Sequence, residues 1–204
     1  MTAATGIEPD ASTKDRLEIR RGLKVAGYAA AAWCIGFAGV SAWQLATGGG
    51  LEDQFAAYAS GLTAMVALVL ILKLAGAVFA LAAIWPGQGW ISPRHLATAL
   101  WGAFGVLALY SAGNIFITVT TVTGLIGPSA AWTAAGGVTP KAILYVLFCF
   151  AGAASFGTVA VSYGRRHRTP WTAAWIGLLG APLLLGLILA VAPAILRALG
   201  LMPG

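Results

Sequence analysis

The chain has 204 residues, 59% of them hydrophobic and only 9% charged, with a net charge of +6. A water-soluble domain is about 25% charged, so an ordinary soluble fold is excluded, and the high hydrophobicity excludes intrinsic disorder. The basic excess does not point to nucleic acid, because the lysines and arginines gather at the ends of apolar runs, where anionic lipid headgroups lie.

Residues 1–22 are polar and read as a disordered tail on the cytoplasmic side, with Lys14–Lys24 able to extend the first helix. Glu8, Asp10, Asp15 and Glu18 in this stretch argue against a secretory signal, which has a short basic start. Five apolar runs follow, each at least as long as the roughly 18 to 20 residues that cross a hydrocarbon core. They predict spans over about 25–47, 55–85, 95–122, 140–163 and 171–196. Gly48–Gly50, Pro86–Gly87 and Gly127–Pro128 punctuate them, and Pro182 and Pro193 predict kinks in the last. Trp43, Trp85, Trp90, Trp132, Trp171 and Trp175 fall near the predicted interfaces. The expected fold is therefore an all-α polytopic transmembrane helical bundle of about five spans.

Lysine and arginine placement sets the expected orientation. With the N-terminus in the cytoplasm, Lys14, Arg16, Arg20, Arg21, Lys24, Arg94, Arg165, Arg166 and Arg168 lie inside, while only Lys141 and Arg197 lie outside. Arg16, Arg20, Arg21, Lys24, Arg165, Arg166 and Arg168 are then expected to set topology and to touch anionic lipid. The expected location is the bacterial plasma membrane.

Lys73 stands in the middle of the second run, about 18 Å from its cytoplasmic end at 1.5 Å per residue. A lysine at that depth costs at least about 2.5 to 3.5 kcal/mol and marks a candidate site by default. No Asp or Glu lies in any span, so a salt bridge is not available to it. Tyr110, Asn114 and Thr118 recur at spacing four on the third run, and Asn114 is the best partner by depth. The expectation is that Lys73, Tyr110 and Asn114 line one polar pocket that suits an anionic ligand; against it stands simple snorkelling with interhelical hydrogen bonds. Ser41 and Gln44 add polarity on the first helix, and Glu52 and Asp53 form an acidic loop.

Other chemistry is poorly supported. Cys34 and Cys149 sit in different apolar runs and read as buried free thiols. His95 and His167 have no second ligand nearby, so no metal site and no cofactor is expected. Gly-x-Ser-x-Gly, His-Glu-x-x-His and the phosphate-cradling Gly-x-x-x-x-Gly-Lys pattern are absent. The small-residue pairs Gly76/Ala80, Ala99/Ala103 and Ala153/Gly157 suit close helix packing and carry no activity. These features favour a non-catalytic protein that binds a lipid or small ligand or helps assembly. A small transporter or transporter subunit comes second, and a membrane-embedded enzyme on a lipidic substrate third. The expected partners are membrane lipids, with a second copy or another membrane protein for so small a bundle.

Three stretches share their spacing with a known group. These are Gly27–Trp33 leading to Trp43–Gly49, then Leu72–Gly76, then Ala99–Gly102 with Leu109–Asn114. Together they resemble an uncharacterised family of small multi-pass membrane proteins of high-GC Gram-positive bacteria. The resemblance covers about the first two-thirds of the chain and departs from the family at Gln44, where an extra residue interrupts a Trp-Ala-Leu-Gly-Gly ending. It implies an all-helical bundle with Lys73, Tyr110 and Asn114 in matching segments, a fifth span added to it, and no activity.

Overall fold

The computed structural model describes residues 11–47, 59–125, 127, 140–198 and 200. These residues form five helices: α1 (Ala11–Thr47), α2 (Ala59–Ile84), α3 (Pro93–Val122), α4 (Pro140–His167) and α5 (Trp171–Ala198). All five contain a stretch long and apolar enough to cross a membrane, as the composition demands when lipid is the solvent and only helices satisfy their own backbone. The polar tail is helical from Ala11 onward, so α1 is one continuous helix of 37 residues. The helix of α5 runs unbroken through positions 182 and 193, although proline removes a backbone donor there. Glu52 and Asp53 lie outside the described residues, as do the side chains of Arg16 and Arg20.

Local chemistry sets the helix ends. Pro86 and Gly87 turn the chain after α2, and Gly87 takes φ 80, a conformation that suits glycine. Ser92 caps α3 by accepting from the His95 amide, with Pro93 at the first helical position. Gln88 pins this connection, its amide exchanging 3.4 Å hydrogen bonds with the backbone of Ile91. At the end of α4, the Thr169 amide donates to the Gly164 carbonyl at 3.1 Å, and Arg168 is left-handed with φ 49. This wrap normally uses glycine, so Arg168→Gly should raise stability by about 1 kcal/mol, read as a later midpoint in a detergent-denaturation titration.

The helices pack as a curved row, α2–α1–α4–α3–α5, and α2 closes lightly on α3 and α4. The main cluster of tightly packed side chains lies in one half of the bundle. Leu23, Ala30, Ala80, Leu96, Leu100, Phe156, Val159, Tyr163 and Ala173 form that core, which lies at the end holding the 85–92 connection and the basic loop 165–168. Toward the opposite end the side chains of α3, α4 and α5 turn outward: Ile115, Phe116, Leu144, Leu147, Leu183 and Leu187 are all exposed. Exposed aliphatic side chains there are what a lipid-facing surface requires.

Small residues set the closest seams. An added Cβ at Gly76 would stand 3.1 Å from the Cys34 sulfur, and one at Gly105 would stand 2.7 Å from the Leu178 carbonyl oxygen. Gly76 and Ala80 are buried, so the first of the expected pairs does bring helices together. The α3–α5 seam instead uses Gly102 and Gly105, while Ala99 and Ala103 remain only half-buried.

Candidate functional site at Lys73

Cys34, Phe37 and Ser41 recur at spacings of three and four on α1 and so share one face. That face meets α2 at Lys73. The Lys73 ammonium donates to Ser41 Oγ at 2.6 Å and stands 3.3 Å from the centre of the Phe37 ring. Ser41 in turn donates to the Phe37 carbonyl one turn back at 3.2 Å, which orients its lone pairs toward the lysine. The ring face supplies the partial negative charge that a carboxylate would otherwise provide. Gly76, one turn further along α2, leaves the space that lets Lys73 approach α1 this closely.

Helix α4 completes the surroundings. The thiols of Cys34 and Cys149 both lie near the Lys73 charge, and both residues are buried and unbridged. The Tyr145 phenol has Tyr110 and the Cys149 thiol as polar neighbours. An aromatic cluster holds this arrangement in place. Trp33 stacks on Phe148 at 5.0 Å, and Phe37 meets Tyr145 edge-on at 5.9 Å. The Trp33 indole also donates to the Phe148 carbonyl at 2.8 Å, an interhelical hydrogen bond inside the span.

Of the three residues expected to share a pocket, Lys73 finds its hydrogen-bond acceptor on α1, at Ser41. Tyr110 meets Tyr145 of α4 at 6.1 Å between ring centroids, and Tyr145 in turn meets Phe37 beside Lys73. The Asn114 amide donates to the Tyr110 carbonyl at 2.8 Å, within its own helix. Arg21, Lys24, Arg165, Arg166 and Arg168 are exposed, all toward the basic end. Among the described residues, no three His, Cys, Asp or Glu side chains gather to hold a metal.

The arrangement holds a cation between a hydroxyl and an aromatic face, with thiols and phenols around it and, among the described residues, no carboxylate in the set. Two cavities lie at the basic end, a groove of about 360 Å³ and a pocket of about 70 Å³, and neither includes Lys73.

Five helices of this length and apolarity, one of them carrying a half-buried lysine, define a multi-pass helical membrane protein. Comparison with family models, curated proteins and solved structures gives no match.

Proposed function

We propose that this chain is a non-catalytic protein of the bacterial plasma membrane that works by binding a lipid or small ligand, or a membrane-protein partner. One observation supports this reading above the others: Lys73 is already engaged by Ser41 and Phe37 within the bundle. A lysine that served chemistry or transport would face a cavity with an open donor. In this reading Lys73 clamps α2 to α1, and ligands meet the protein at its surface.

Native mass spectrometry of the detergent-purified protein beside Lys73→Met tests this. The expected result is the same oligomer and the same co-purifying molecules in both. A discrete small molecule held by the wild type and lost in the variant would overturn it. So would a solute or proton flux in proteoliposomes that Lys73→Met abolishes.

A further inference from the structure

At the basic end, Tyr163 of α4 is 1% exposed; its hydroxyl makes no hydrogen bond of good geometry, and the Gln88 side chain is its polar neighbour. A buried hydroxyl so weakly satisfied favours a further acceptor. Tyr163 lines the small pocket together with Gln88, Pro93, Arg166 and His167. Every polar side chain there can donate: the phenol, the Arg166 guanidinium, the His167 ring and the second amide hydrogen of Gln88, whose first goes to Ile91. Among the described residues, the lining contains no carboxylate. His167 stacks on Tyr163 at 4.2 Å, which fixes both rings. With about 70 Å³, the pocket has room for a few waters or one tetrahedral oxyanion.

The larger groove adjoins this pocket and shares Ala82, Trp85, Gly87 and Gln88 with it. It runs along α2 past Leu81 to Val78, about 10 Å into the apolar zone at 1.5 Å per residue. Trp85 and Trp90, each 69% exposed, flank its mouth at the depth where indoles favour the membrane interface. A polar, cationic pocket thus opens directly into an apolar channel that points toward the bilayer centre. By the charge bias of the loops, this end faces the leaflet that carries anionic lipid.

We propose that the two cavities form one site for an anionic phospholipid. Its phosphate sits on Arg166, Gln88 and the Tyr163 hydroxyl, and an acyl chain lies in the groove between Trp85, Trp90 and Val78. The proposal rests on the reading that this protein acts by binding, and it names the ligand and the place.

The test is native mass spectrometry of the full chain in detergent, with phosphatidylglycerol or phosphatidylcholine added at matched amounts. Wild type should retain phosphatidylglycerol preferentially. Arg166→Gln should weaken that retention about tenfold, as expected for one lost charge-assisted hydrogen bond, whereas Arg165→Gln, outside the pocket, should not. Tyr163→Phe removes only the hydroxyl, so it should keep the fold and still weaken retention, which guards against a variant that merely misfolds. Equal retention of both lipids overturns the proposal, and so does an Arg165→Gln effect as large as that of Arg166→Gln. Displacement by free glycerol phosphate at the lipid's own concentration also overturns it, because the ligand would then be a soluble phosphate. Failure of the binding reading itself has a separate signature: lipid recovered with an altered mass, or flux through liposomes.

Discussion

Gly177→Ala should loosen α5 from α3 and lower stability by about 1–3 kcal/mol, the range for overpacking a close seam. The reason is geometric. A Cβ at this position would meet the Thr98 carbonyl oxygen, and would stand 2.8 Å from Trp101 Cβ and 2.9 Å from the Gly102 amide nitrogen. None of these atoms ends a flexible side chain, so relief requires moving one helix away from the other. Gly180, three residues on in the same helix, has nothing within 4 Å of its added Cβ. Gly180→Ala should be neutral or stabilising by up to about 1 kcal/mol, because alanine is the better helix former. Denaturation of the two variants by sodium dodecyl sulfate in mixed micelles separates them. Equal midpoints would show that α5 does not meet α3 in this register.

Ser41→Ala should destabilise the bundle by about 1–3 kcal/mol, the usual loss when a buried charged group forfeits a hydrogen bond. Lys73→Met should cost less. It gives up the same hydrogen bond but removes the ammonium that needed it, so no charge is left unpaired. In the Lys73→Met background, Ser41→Ala should then have almost no effect, since the serine keeps only its bond to the Phe37 carbonyl. A double-mutant cycle on the same denaturation measurement yields the coupling directly. Identical Ser41→Ala losses in the two backgrounds would mean that the hydroxyl and the ammonium do not interact.

The spans and the depth of Lys73 are legible in the sequence because they depend on run length and on where charges stop. The partners of Lys73 are not. In a soluble helix the apolar stripe marks the inward face, but helices such as α2 and α3 are apolar on every side, so periodicity does not say which residues face a neighbour. Asn114 is the most polar residue at a matching depth, yet its amide is satisfied one turn back on its own helix. Phe37 and Ser41 carry the contact, and their signal is a ring and a small hydroxyl on one face, which looks like ordinary lipid-facing sequence until α2 is placed. The seam glycines were similarly ambiguous, for Gly102 and Gly105 compete with Ala99 and Ala103 on an alanine-rich helix. The burial of the Tyr163 hydroxyl has no sequence signal at all, since it depends on how α2, α3 and α4 converge.

Among the described residues, helix α5 rests almost wholly on α3, and this sets when during synthesis that seam can form. The ribosome delivers α3 two helices before α5. Once α4 has emerged, α1 to α4 hold all their mutual seams, while the Gly102–Gly105 face of α3 still borders lipid tails. Helix α5, made after them, must expel those tails to dock, and their release into the bilayer adds to the packing gained at the seam. Its docking is therefore an exchange of lipid for protein along a glycine-lined track.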